Sequence, residues 1–211
     1  MSLRSAEKSA ALKAEYPELI VVMASNEELV IQSDIIFIGL LPAVAREILP
    51  QLVFNESKTI FSMMAAIDYD EMAGLLKLTS PSVDNLVKTV PLPSTANRCG
   101  PAVMYPPNSR LEAILRVVST PIVCETEANM KPMISITGHI SSFFELMNTS
   151  QQFIESHGID KVTARQFVTS FYSSLAQGAE RSSESLEDLS EEAATPGGLN
   201  EQVLNLSLIH I

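Results

Sequence analysis

No stretch of the 211 residues is apolar for long enough to cross a bilayer. The first residues carry no hydrophobic signal core and are rich in Ala, Lys and Glu instead. Cysteine is scarce: Cys99 and Cys124 fall in no CxxC or zinc pattern, which excludes a structural zinc motif and reads as a pair of thiols in a reducing compartment. The protein is therefore expected to be cytoplasmic. Positive charge is also in short supply. Lys and Arg number 14 against 25 Asp and Glu, a net charge of −11, which argues against a nucleic-acid or anionic-membrane surface. No Ser-His-Asp order, His-Glu metal motif or P-loop is present.

What is there is enough apolar residue, 46%, to bury a core in one large domain or two small ones. The chain is organised around Ser33–Pro42. Ile35–Ile38 is an unbroken, β-branched run between Asp34 and the breakers Gly39 and Pro42, the pattern of a strand buried on both faces. Such strands belong to parallel sheets covered by helices, whose ligands lie beyond the carboxyl ends of the strands. The turn Gly39, Leu40, Leu41, Pro42 is thereby placed at the binding edge.

Strands and helices alternate through about residue 125, which predicts a parallel α/β sheet. A helix over 4–15 ends before Pro17, and a short strand is expected at Leu19–Met23. Ser25 and Glu28 form a capping box for a turn of helix to Gln32. Further strands are expected at Thr59–Met63, Leu86–Val90, Ala102–Tyr105 and Ile122–Cys124, with helices near 43–49, 68–77 and 109–117.

After Glu125 the pattern becomes all-helical. Met130, Met133, Thr137, Ile140, Phe144, Met147 and Ile154 follow one helical stripe, with Ile136, Phe143 and Leu146 apolar on another face. A long helix apolar on two faces must be buried on both, so a homodimer or larger homo-oligomer built by residues 126–206 is expected. A second amphipathic helix spans Ala164 to Leu175, the acidic run 180–192 reads as a solvated face, and Thr195-Pro196-Gly197-Gly198 turns into a last short helix from about Asn200.

Read in this order, the chain resembles the pyrroline-5-carboxylate reductase family. Ser33-Asp34, the apolar strand and Pro42 are similar to that family's Asp-strand-Lys-Pro segment. Ile60 to Ala66 resembles its VISxAAG strand and turn. Val90-Pro91-Leu92-Pro93-Ser94 and Gly100 to Pro106 sit where MPNTP and GxTALYP would be. Thr137-Gly138-His139 takes the place of SGSGP, and Ala194 to Gly198 resembles TSPGG. The resemblance covers about residues 4–205 and implies a truncated Rossmann-like NAD(P)-binding domain at 1–125, a helical dimerisation and substrate domain at 126–206, and a tail at 207–211. It implies NADP as cofactor, with NAD an alternative, and a small imino-acid substrate: reduction of pyrroline-5-carboxylate to proline, a step of proline biosynthesis.

The departures from the family are specific. The family's opening strand and Gly-x-Gly-x-x-Gly turn, which admit the cofactor pyrophosphate to a helix N-terminus, have no counterpart in these residues. The chain starts where the family's second strand ends. That puts Arg4, Ser5 and Lys8 on the segment that holds the ribose 2′-phosphate, for which cations and hydroxyls are suitable donors. Leu41 stands for the usual Lys, Leu92 for Asn, His139-Ile140-Ser141 for Ser-Gly-Pro, and Leu199-Asn200 for a small residue and Thr. A non-catalytic or regulatory relative that kept the dimer and lost the cofactor is therefore an alternative to the enzyme.

The implied reaction asks little of side chains, because the cofactor carries the hard step. The resemblance assigns the nicotinamide to Gly39–Pro42 with Ala65 and Ala66. Thr195, Gly197, Gly198 and Asn200 would hold the substrate carboxylate, through backbone N–H groups and the Asn200 amide in place of the family's Thr hydroxyl. His139 is either a packed helix histidine or the acid that protonates the imine nitrogen.

Overall fold

The computed structural model describes Met1, residues 6–82 and residues 84–208, with side chains through Leu206. The chain forms two compact units, 1–138 and 139–211. Among the described residues no helix is long and apolar enough to cross a membrane.

The first unit opens with α1 (Ala6–Glu15) and α2 (Asn26–Gln32). Ser25 caps α2 by accepting the Glu28 N–H at 3.1 Å, while the Glu28 carboxylate reaches back to the Ala24 N–H at 2.9 Å. The strand expected at Leu19–Met23 does not form. Leu19 and Ile20 N–H turn back to Tyr16 O at 3.1 and 3.0 Å, Met23 N–H donates to Met1 O at 3.0 Å and the Met1 ammonium to Val21 O at 2.8 Å, and these isolated bonds make no ladder.

The sheet follows: β1 (Ile35–Ile38), α3 (Pro42–Ile48), β2 (Thr59–Ser62), α4 (Tyr69–Leu75), β3 (Leu86–Pro91), β4 (Pro101–Tyr105), α5 (Ser109–Leu115) and β5 (Thr120–Val123). The five strands lie in sequence order. Pairs β1–β2, β2–β3 and β4–β5 are parallel, and β3–β4 is antiparallel. The reversal has a simple cause. Residues 92–100 hold only a 3-10 turn (Pro93–Asn97) closed by Arg98 at φ 56 and Gly100 at φ 83, too short a link for a parallel crossover.

β1 is an edge strand, and this corrects the expectation that both of its faces are buried. Ile36 and Ile38 are buried, but Phe37 on the other face is 45% exposed, covered in part by Phe61 at 5.1 Å between ring centres. One core lies on the Ile36/Ile38 face, where Ile60, Leu86, Ala45, Leu49, Ile67, Met72 and Leu76 pack. The opposite face packs Phe61, Val87, Ala102 and Met104 against Leu111 and Leu115 of α5.

Helix α6 (Glu127–Ile136), beyond the change of pattern at Glu125, also belongs to the first unit: its Met130 is fully buried with Val103 and Cys124. The single helix expected from Met130 to Ile154 is in fact two. A 3-10 turn, Thr137–His139, separates α6 from α7 (Ile140–Ser156). Gly138 is a poor helix residue, and the Thr137 hydroxyl satisfies Ile134 O at 2.6 Å, so the break leaves the α6 end capped.

In the second unit α7 packs on α8 (Lys161–Arg181). Gly158, at φ 87, turns the chain between them, and Asp160 caps α8 by accepting the Val162 and Thr163 N–H groups. Phe143 and Tyr172 meet edge to face at 5.6 Å, and the Tyr172 and Ser150 hydroxyls are 3.3 Å apart. Few large side chains are buried here: Phe144, Phe153 and Phe167 are each more than 60% exposed. Helices α9 (Leu186–Ala193) and α10 (Leu199–Leu208) complete the unit. Helix α10 enters the tail expected at 207–211, the remainder of which lies outside the described residues.

Candidate active site

The carboxyl ends of β1 and β2 lie side by side, and the ladder continues one step past β2, with Met63 N–H donating to Ile38 O at 2.8 Å. This brings two predicted groups to one sheet edge. Gly39 follows β1 directly and is exposed; a Cβ there would meet only the Met63 Cε, at 3.1 Å. Leu40 is half-buried and packs on the core, Leu41 is 67% exposed, and Pro42 starts α3. Beyond β2, Ala65 and Ala66 are both exposed. The result is a shelf of small residues and accessible backbone, a surface suited to a flat ring.

Arg4 and Ser5, assigned to a 2′-phosphate, lie outside the described residues. Lys8 is exposed on α1. A polar cluster that sequence reasoning missed lies one strand further in. Lys88, central in β3, is 4% exposed at its side chain, and its Nζ lies 2.7 Å from Glu127 Oε1 in the first turn of α6. The Glu127 carboxylate also accepts the Tyr69 N–H at 3.0 Å. The Tyr69 hydroxyl donates to Leu86 O at 3.3 Å, and its pKa is pushed up to about 12 by burial first, then by Tyr105 and Asp70. Ser62 pairs with Lys88 in register, so both point to one face; its hydroxyl is buried with no hydrogen-bond partner among the described residues. The clue was Lys88 itself, a lone cation between Val87 and Thr89 in an apolar strand. Its partner, 39 residues on, left no local sign.

In the second unit His139 is exposed at the start of α7, which corrects the packed reading of that side chain. The Thr195–Asn200 turn forms as predicted, with Gly197 at φ 75 and a Cβ at Gly198 falling 2.9 Å from Thr195 O. Its donors are engaged internally. Gly198 N–H bonds Thr195 O at 2.8 Å, Asn200 Nδ2 donates to Ala193 O at 3.0 Å, and Gly197 N–H donates to the Glu201 carboxylate at 2.7 Å. The turn thus does bind a carboxylate, and that carboxylate is its own.

No family model and no curated protein sequence matches the chain. Solved structures do. Pyrroline-5-carboxylate reductase from Streptococcus pyogenes matches with a TM-score of 0.83 at 18% identity, over 99% of this chain and 80% of that one. Pyrroline carboxylate reductase from Plasmodium falciparum, solved with NADP bound, gives 0.75 at 17%, over 88% of this chain and 72% of that one. A reductive aminase from Aspergillus terreus, in complex with NADPH and ethyl levulinate, gives 0.58 at 15%, over 92% and 67%. The mixed sheet followed by helices, read from the sequence as a Rossmann-like domain with a helical one, is the fold of the pyrroline-5-carboxylate reductases, carried by a divergent sequence.

Proposed function

We propose that the protein is a divergent member of the pyrroline-5-carboxylate reductase family and reduces a cyclic imine with NAD(P)H, pyrroline-5-carboxylate to proline being the reference reaction. The observation that carries this is the shelf of Gly39, Ala65 and Ala66 at the carboxyl ends of β1 and β2, in a chain with this fold. The exposed backbone at Gly39, beside Ala65 and Ala66, fits a nicotinamide ring laid on it. When bound, the cofactor supplies the hydride for the imine carbon. Arg4, Ser5 and Lys8 are its proposed 2′-phosphate ligands and the reason to prefer NADP. His139 is the proposed donor of the proton that the nitrogen takes up as the C=N bond becomes C–N. Thr195, Gly197, Gly198 and Asn200 are the proposed carboxylate site, with a substrate carboxylate taking the place Glu201 holds. The exposed aromatic side chains of α7 and α8 support a homodimer.

The alternative is a non-catalytic or regulatory relative that kept the dimer and lost the cofactor. The protein mixed with saturating NADPH and pyrroline-5-carboxylate should form proline in step with NADPH loss. Failure to reduce that or any other cyclic imine at saturating cofactor would favour the non-catalytic relative.

A further inference from the structure

Between the sheet and the C-terminal half of α6 the first unit forms a cavity of about 250 Å³, open to solvent on one side. Its floor is fixed by register. Val90 pairs with Val103 and Val103 with Ile122, so the three stand in one row across β3, β4 and β5 on one face. Leu92, just past β3, extends the floor, and Ile134 and Ile136 of α6 stand opposite. Helix α6 is closed on the sheet at Met130, which is fully buried, yet Met133 on the next turn of the same stripe is 43% exposed. Pro132 lies between them. It has no N–H for the carbonyl of Ala128, and a helix departs from straightness most easily at such a residue.

The chemistry of the cavity is one-sided. Eight of its nine lining residues are apolar, and the ninth, Thr137, already gives its hydroxyl to Ile134 O at 2.6 Å. A carboxylate entering it would lose its hydration without finding a donor. A hydrocarbon group fits, since an apolar cavity of about 150 Å³ already holds benzene. Leu92 stands where the family resemblance places an Asn, so an isobutyl group occupies the position of an amide. The cavity also lies at the carboxyl end of β3, next in the sheet to β2 and its Ala65–Ala66 shelf, with neighbouring strands about 4.8 Å apart.

We infer that this cavity is the subsite for an apolar substituent of the imine, and that the preferred substrate is a cyclic imine bearing a hydrocarbon group of aromatic-ring or short-chain size. The inference rests on the imine-reductase reading above. It assigns Leu92 and Ile136 the choice between such a substrate and the bare pyrroline ring.

The test compares 5-phenyl-1-pyrroline with 1-pyrroline-5-carboxylate, which share a ring and differ in one substituent. Methyl NMR of the protein without cofactor reads binding directly, and NADPH consumption at saturating cofactor reads turnover. The phenyl imine should shift the Val90, Val103 and Ile122 methyls and be preferred by about tenfold or more in kcat/KM. Leu92→Asn, and Ile136→Ser at a site that is 66% exposed and so not needed for folding, should each weaken phenyl-imine binding by about tenfold and shift the kcat/KM ratio toward the carboxylate substrate. Preference for the carboxylate, or methyl shifts unchanged by both variants, overturns the inference while the reductase reading stands. Methyl shifts that appear on concentrating the protein rather than on adding imine make the cavity a contact between copies, and also overturn it. Binding at the cavity with neither imine reduced supports the apolar site and removes the reductase reading.

Discussion

Lys88 Nζ lies 2.7 Å from Glu127 Oε1, with the lysine side chain 4% and the glutamate 19% exposed. The pair joins the middle of β3 to the first turn of α6, and through the Tyr69 N–H it also holds the start of α4. Three elements of the first unit therefore meet on one carboxylate. Glu127→Ala would leave a buried ammonium without an anion, at a cost of about 3–5 kcal/mol in unfolding free energy. The double variant Lys88→Met/Glu127→Ala should recover a large part of that loss. A single variant within 1 kcal/mol of wild type by urea unfolding would show that the pair is not load-carrying in this way.

Tyr69 makes a prediction about pH. Its folded pKa is about 12, above the ordinary value of about 10 expected in the unfolded chain. Its contribution to stability is therefore complete below pH 10 and is lost as pH rises through about 12. In a phenolate absorbance titration, Tyr69→Phe should remove a component centred near pH 12. An unchanged titration in that range would contradict the half-buried placement of the ring.

The second unit predicts assembly. With Phe144 at 62% and Phe167 at 61% exposure, the wild-type protein should sediment as a dimer or larger. Phe144→Asp should shift it toward monomer, because it would place an unpaired carboxylate in the interface. A clean wild-type monomer would remove this claim and leave the fold untouched.

The Thr195–Asn200 turn gives opposite predictions for two neighbours. Asn200→Ala removes a donor to a charged group and the bond to Ala193 O, and should lower kcat/KM for a carboxylate-bearing imine about ten- to hundredfold. Glu201→Ala frees the Gly197 N–H and should lower KM for the same substrate. Equal KM in wild type and Glu201→Ala would mean the turn does not receive the substrate carboxylate.

Much of this fold was legible because its causes are local. Ile35–Ile38 is a strand because it is β-branched and bounded by breakers. Ser25 caps α2 through Glu28, three residues on. The turn at Gly197-Gly198 is written in its own glycines. What was missed depends on residues far apart in the chain. Phe37 is exposed because β1 is an edge, a fact of strand order rather than of β1. Leu19–Met23 has strand composition and no ladder to join. Lys88 finds Glu127 only once α6 is laid on the sheet. Leu92 could be seen to differ from the family, but the cavity it lines needs the Val90–Val103–Ile122 row and the exposed turn of α6 together.

Cofactor affinity follows from what these residues contain. The pyrophosphate turn is absent from them, so the 211-residue chain should bind NADPH weakly, and tight micromolar binding by fluorescence titration would contradict that. Turnover is then to be sought at saturating cofactor.

The most direct measurement uses NADPH carrying deuterium at both C4 positions, at saturating concentration, with 1-pyrroline-5-carboxylate and 5-phenyl-1-pyrroline in parallel. The account predicts an amine product with one deuterium on the former imine carbon and an unlabelled proton on nitrogen. Amine without deuterium, or no amine from either imine at saturating cofactor, would contradict hydride transfer by this protein.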